Sequence, residues 1–446
     1  MSVGVRMACT ILSMVAGAGC ALSPALDEQT ESTSTDAGAD DLSDSDARVA
    51  AGHKDASSPK SDAGTMAAAT GSVAADAALS TLGSTSAAPS DAGVVQAAAP
   101  AVSDAAVSEP VAAKPSEALV AAPAGASTSC AVPAEAALED VSHPTTVVGT
   151  GTPASCTSSA FVAAVAAGGV ITFNCGASPT TITLDATAKV FNDKATKLVI
   201  DGGNKVTLSG GGKVRILYLN TCDQSQVWTS PHCDNQEFPQ LTVQNLTFAN
   251  GNAKSEKDPK GGAIYASGGR LKIINSKFVS NVCADAGPDV AGGAVHAQQP
   301  YNNLPAYVVG SVFGGQDGSG NVCSNGGALS GMGVSFNLLN STLSYNKAIG
   351  NGANPAAEGT PGGGSGGAIY ANGNAYTLSV CGSTLEHNRA NEGGGSIFFV
   401  SNDRTGSVSI ASSTLTDNVS GKFENYTGMF VQASGAPSIV NSTVSK

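Results

Sequence analysis

Nine residues recur along the second half of the chain: IINSKFVSN from Ile273, LLNSTLSYN from Leu338, VCGSTLEHN from Val380 and IASSTLTDN from Ile410. The last apolar position of the phrase falls at Phe248, Phe278, Phe313, Leu343, Leu385, Leu415 and Val444, at steps of 30, 35, 30, 42, 30 and 29 residues. A second phrase interleaves with it: GGAIY from Gly261, GGAVH from Gly292, GGALS from Gly326, GGAIY from Gly366 and GGSIF from Gly394. Two signatures sharing one period indicate stacked units, each burying its apolar edge only against its neighbours.

Inside a unit the pattern is β. Apolar pairs at Leu241/Val243, Leu271/Ile273, Phe336/Leu338, Leu378/Val380 and Val408/Ile410 flank Thr242, Lys272, Asn337, Ser379 and Ser409. Period-two alternation in short runs broken by Gly, Asn and Ser reads as half-buried strands joined by turns. A unit of 30 residues holds about three strands of ordinary length. Residues 150–446 are therefore expected to form an all-β, single-stranded parallel β-helix of about nine or ten coils, right-handed as parallel crossovers prefer. GGA-(Ile/Val/Leu) with Phe-x-x-Asn resembles the repeats of the polymorphic outer-membrane proteins and, more broadly, the β-helix proteins that include pectate lyases. The resemblance implies the fold over roughly residues 150–446. Among the nine-residue phrases Phe278–Asn281 alone is a strict Phe-x-x-Asn, later phrases carry Leu343–Asn346, Leu385–Asn388 and Leu415–Asn418, and the barrel of that family is not among residues 1–446. The sequence stops at Lys446 inside a further phrase. Either another subunit covers that edge or the chain is truncated.

The start of the chain is a different polymer. Residues 1–19 read as a signal peptide, with one Arg and an apolar run too short to span a bilayer. Cleavage before Cys20 and lipidation there would give an anchored lipoprotein at a bacterial outer membrane or cell surface, touching the membrane only through its lipid. Cleavage after Ala18 would release a secreted protein. Residues 20–128 are rich in Ala, Ser, Asp and Pro without periodicity and read as a disordered tether. Fifteen acidic and four basic residues there carry most of the net charge of −13. The repeats are close to neutral, which argues against nucleic acid as a partner.

Residues 129–175 are expected to hold a cap and the first strand, and residues 176–446 the β-helix repeats. TSSAFVAAVAAGG supplies a short helix, with Thr157 or Ser158 as N-cap, Phe161, Val162 and Val165 on one face and Gly168–Gly169 as the stop. Such a helix plugs an end that would otherwise expose strand edges. Eight cysteines follow Cys20, an even number that suggests disulfides in an exported chain. Cys283 and Cys323 fall at one corner of adjacent coils, Cys222 and Cys233 bracket an insertion, and Cys156 and Cys175 join the cap to the first strand. Cys381 sits on a core phrase and reads as a buried thiol.

Stacking puts equivalent residues in columns. Ile264, Val295, Leu329, Ile369, Ile397 and Met429 form an inward ladder, while Asn245, Asn275, Asn340 and Asn441 recur at a turn where amides can bond up and down the stack. Tyr345, His387 and Asp417 occupy one mixed column, a candidate for a general base with an orienting partner. No other acid/base cluster of the pectate-active type is present. No cofactor is implied, apart from Ca2+ at Asp317–Asn321, which imitates the start of a calcium loop but lacks its terminal Glu. No metal-binding cysteine or histidine pair is found.

Beside the inward ladder stand Tyr265, His296, Ser330, Tyr370, Phe398 and Phe430, which strand alternation turns outward. Of these, Tyr265, His296, Tyr370 and Phe398 are the candidate ligand-binding residues, suited to stacking on sugar rings or on a partner's side chains. A rival reading puts them in an aromatic stack beneath a loop such as Gly352–Gly364. The expectation is a non-catalytic, adhesin-like surface protein that binds extracellular polysaccharide or a cell-surface protein. A polysaccharide lyase or glycoside hydrolase is the alternative, and a structural spacer the third.

Overall fold

A computed structural model describes residues 129–227 and 232–446. The signal peptide expected over 1–19, the lipidation expected at Cys20 and the tether expected over 20–128 lie outside the described residues. The strands pair in parallel, in sheets of ten, nine, eight and four strands. The chain visits the sheets in a fixed order. Arg270–Ile274 lies in the ten-stranded first sheet, Lys277–Val279 in the nine-stranded second and Val295–Gln298 in the eight-stranded third, before Ala306–Val309 returns to the first. In later coils a two-residue strand, such as Lys347–Ala348, forms the small fourth sheet between the second and third. This is the parallel β-helix that the period implies.

The repeated phrase now has a physical reason. Phe248, Phe278, Phe313, Leu343, Leu385, Leu415 and Val444 are registered neighbours in the second sheet. The first three rings stack at 4.8 and 4.6 Å. Burying each such side chain stabilises the coil by about 1.5–3 kcal/mol. The Ser of the phrase makes a second column: the backbone N–H of Ser276 donates to Ser311 Oγ, Ser311 to Ser341, Ser341 to Ser383, and Ser383 to Ser413. The closing Asn makes a third. Asn281, Asn321, Asn346, Asn388 and Asn418 are buried, and the Nδ2 of each of the first four donates to the next Oδ1 at 2.9–3.0 Å.

That amide ladder is the one the sequence placed at Asn245, Asn275, Asn340 and Asn441. Those four instead supply left-handed turn residues, with φ between 48° and 53°. Only Asn275 donates to its predecessor, Asn245, at 3.4 Å. The amide that is sealed from water must find partners inside the stack, whereas an exposed turn amide can use solvent.

The cap helix Ser158–Ala167 forms as its sequence suggests. Thr157 accepts the N–H of Ala160, and Gly168 ends the helix at φ 75°. Phe161, Ala164 and Val165 are buried, and Val162 packs at the margin of the same core. The three anticipated disulfides, Cys156–Cys175, Cys222–Cys233 and Cys283–Cys323, are present.

Cys381 is not a thiol. It is bonded to Cys130, 251 residues away in sequence. The pairing ends a strap that the sequence did not announce. From Cys130 to Glu139 the chain crosses the outer face of the first sheet along the stacking axis. Cys130 exchanges two hydrogen bonds with the Asn340 amide, at 2.7 and 2.8 Å. Tyr307 donates to Glu135 at 3.0 Å, and Ala136 is buried against Ile274, Val309 and Leu339. Glu139 pairs with Lys272 and Lys197, and its backbone exchanges two hydrogen bonds with the Gln244 amide. Six strands, from the one starting at Lys197 to the one ending at Cys381, are thus spanned by one segment. Four disulfides mark an exported protein. Among the described residues no helix is long and apolar enough to cross a membrane.

Candidate functional site

The aromatic column exists, but it is not a surface. Register places Lys189, Tyr218, Tyr265, His296, Ser330, Tyr370, Phe398 and Phe430 side by side along the third sheet. The four candidate binding residues Tyr265, His296, Tyr370 and Phe398 are at most 3% exposed. They do point away from the inward ladder, yet loops cover them. Asn354 donates to the Tyr370 hydroxyl at 2.7 Å, and that hydroxyl reaches Pro288 O at 3.3 Å. Phe398 stacks between Tyr370 and Phe430, with Phe423 against its edge. His296 bridges Ser330 Oγ at 2.7 Å and Gln298 Oε1 at 3.1 Å. Burial above all, with the Lys260 and Arg215 charges assisting, depresses its pKa to about 3, so the imidazole is neutral. All four side chains are buried, and at Tyr370 the cover includes the Gly352–Gly364 loop through Asn354.

The column opens at its other end. Tyr218 is half-buried and Lys189 exposed, and both line a cleft of about 490 Å³. The cleft wall is built from three segments. Lys189 and Tyr218 stand on neighbouring strands, Asp223 follows at the start of the insertion closed by Cys222–Cys233, and Glu256, Lys257 and Asp258 come from the loop ahead of the next strand.

Arg215 fixes that loop. Its buried guanidinium donates to the carbonyls of Gly261 at 3.1 Å, Lys260 at 2.9 Å and Asp258, and lies 3.8 Å from Glu256. It also sits over the rings of Tyr218 and Tyr265, 5.4 and 5.1 Å from their centroids. The loop therefore seals Tyr265 while leaving Tyr218 open.

The polar groups at Tyr218 are held in place. The Tyr218 hydroxyl donates to Asp223 Oδ2 at 2.9 Å and accepts from Asn220 Nδ2 at 3.0 Å. Burial, its main perturbation, pushes the Tyr218 hydroxyl up to about 12. Asp223 also accepts the Ser225 N–H at 2.9 Å and hydroxyl at 2.7 Å. Burial works against the Asp223 charge, but these bonds overcome it and keep the carboxyl below its ordinary pKa. Lys189, Arg215 and Lys257 face Asp223, Glu256 and Asp258 around the cleft. Three charges of each sign leave it without net charge.

Sequence reasoning missed Tyr218, Asp223 and Arg215. Tyr218 carries the right signal, an aromatic residue directly after an inward Leu217, but no GGA phrase precedes it and 47 residues separate it from Tyr265.

The Tyr345, His387 and Asp417 column is brought together only in part. All three are left-handed residues at one corner, with φ of 61°, 53° and 54°. The rings of Tyr345 and His387 stack at 4.9 Å, but no hydrogen bond or ion pair joins His387 to Asp417. Each directly precedes a ladder asparagine, so the column follows from turn geometry. In the Asp317–Asn321 stretch, Asn321 is buried within the amide ladder, where its Oδ1 accepts from the N–H and Nδ2 of Asn281. Comparison with family models, with curated proteins and with solved structures gave no match for this chain.

Proposed function

We propose that this chain is a non-catalytic protein of the cell surface, exported and held by a lipid at Cys20 or secreted, that binds extracellular polysaccharide at the Tyr218 cleft. The observation that carries the reading is the half-open Tyr218 ring in a polar cleft, flanked by the fixed Asn220 amide and Asp223 carboxylate and by the ammonium groups of Lys189 and Lys257. An aromatic face with anchored hydrogen-bonding groups around it suits a sugar ring. The balanced charge favours an uncharged glycan over a polyanion such as pectate, whose binding calls for a cationic surface. Binding is favoured over turnover because two of the three acids in the cleft are already engaged. Asp223 accepts three hydrogen bonds, and Glu256 faces Arg215 and accepts from Thr187 at 3.3 Å. A general acid needs a carboxyl raised toward neutrality, and that of Asp223 is moved the other way. The kinship with polymorphic outer-membrane and pectate-lyase-like repeats is part of the proposal, resting on the GGA and Phe-x-x-Asn phrases.

The test is a glycan array probed with the mature chain and with Tyr218→Ala and Asp223→Ala. Binding to neutral glycans that both changes abolish supports the cleft. Unchanged binding in both variants moves the site elsewhere. Release of reducing ends or unsaturated products from any array member would restore the lyase or hydrolase alternative.

A further inference from the structure

The turns that leave the third sheet form a second concavity. Two adjoining cavities of about 510 and 530 Å³ share Asn303, Met332 and Gly333. Gln298 is registered on Met332, and Met332 on Asn372, so the cavities follow one another along the stacking axis. Between the strands ending at Ser267 and Gln298 and their successors in the first sheet, the first turn is only Gly268–Gly269, while the next carries Asn302 and Asn303. Over that low glycine turn the segment just after the Cys222–Cys233 staple reaches across. Asn235 Nδ2 donates to Asn302 Oδ1 at 3.2 Å, the Asn302 N–H donates to Asn235 Oδ1 at 2.7 Å, and the Gly269 N–H donates to Gln236 O at 3.0 Å. From the glycine turn to Asn402 the groove covers four coil steps, roughly 20 Å at the spacing of paired strands.

Its chemistry is uniform. Seven of the thirteen lining residues are Asn or Gln, and Asp234 alone is charged. Several of the amides are held. Those of Asn235 and Asn302 bond each other, and Asn402 Nδ2 donates to Asn372 Oδ1 at 3.3 Å and Gly373 O at 2.9 Å. Asn303 and Asn374 are exposed along the groove. An added Cβ at Gly333 would meet nothing within 4 Å, so the space above the shared stretch is open. An amide offers a donor and an acceptor without charge, which matches a sugar hydroxyl that is itself both. An anionic ligand would find no counter-charge here and a cationic one only Asp234, and an apolar peptide would find little beyond Pro300, Met332 and Ala375. Repetition along the axis suits a ligand that repeats.

We infer that this groove is a second glycan site, holding an extended, uncharged polysaccharide chain along the stacking axis. The ligand class rests on the reading of the Tyr218 cleft; the site itself does not. The two are separated by titrating the mature full chain with neutral oligosaccharide series (β-glucan, xylan and mannan), from the disaccharide upward, by calorimetry. Wild type is expected to gain about tenfold or more in affinity as the chain lengthens. Ala375→Trp, which fills the groove, should abolish that gain and leave short-sugar binding intact. The exposed double change Asn303→Ala with Asn374→Ala should weaken it in the same way, so the result does not depend on one variant folding. Tyr218→Ala should lose the short sugars and keep the dependence on length. A length dependence that survives both groove variants, or none in wild type beside normal short-sugar binding, overturns the groove alone. If no neutral series binds at all, the cleft reading falls and this inference with it.

Discussion

Tyr218 and Tyr370 stand in the same column of the same sheet, and the protein treats them in opposite ways. Tyr370 is sealed beneath the loops of Pro288 and Asn354 and stacks on Phe398 at 5.2 Å. Tyr218 keeps part of its ring in a cleft, because Arg215 draws the loop over Tyr265 and stops there. The repeat determines that both rings leave the sheet on the outer side. The insertions between repeats determine which one meets water. In a solenoid, a column of equivalent residues is therefore a candidate site only where no insertion lies over it.

The largest effect expected is at the sealed end. Phe398→Ala should cost about 3–5 kcal/mol in chemical denaturation, as a large aromatic removed from a packed cluster does, with glycan binding by the folded fraction unchanged. A cost below about 1 kcal/mol would mean that the loops do not close over the column. Next comes Arg215→Ala, at about 3 kcal/mol, since three carbonyls lose a buried donor and two rings lose their cover. Hydrogen exchange across residues 253–261 should rise with it. If it does not, something other than Arg215 sets the boundary between the open and closed parts of the column.

His296, between the two ends, gives a pH signature. Its folded pKa of about 3 lies below the ordinary 6.5, so between these values the unfolded chain binds the extra proton. Stability is then complete above pH 6.5 and is lost as the pH falls toward 3. The loss should be about 2 kcal/mol between pH 7 and pH 5, and should vanish in His296→Phe. The depressed carboxylates Asp223 and Glu139 release their contributions only below their ordinary values, at lower pH. An identical slope in the variant would show that water reaches His296. The smallest effect on stability belongs to the open end. Tyr218→Phe removes one hydroxyl that bonds Asp223 and Asn220, and should cost no more than about 1.5 kcal/mol. Affinity for glycans should still fall, because Asp223 loses an anchor. Retained affinity would reduce the hydroxyl to a structural part.

The sequence by itself determined whatever depends on a residue and its equivalent one coil away. Such contacts repeat with the period, so the strands, the inward ladder and the Cys283–Cys323 pair could be read from spacing. The amide ladder was half legible: its residues close the repeated phrase, yet burial, which spacing does not report, decides that Asn346 and Asn388 are laddered while Asn245 is a turn. Only the tertiary structure decided the rest. The strap from Cys130 to Glu139 crosses six strands and bonds to Cys381, a contact between segments with no periodic relation. Likewise the loop held by Arg215, the cover over Tyr370 and the reach of Asn235 to Asn302 come from insertions, each occurring once. A repeat states its nearest-neighbour interactions many times over, so they survive as a pattern. A contact made once, between distant segments, leaves no pattern, and at this surface such contacts decide what a ligand can reach.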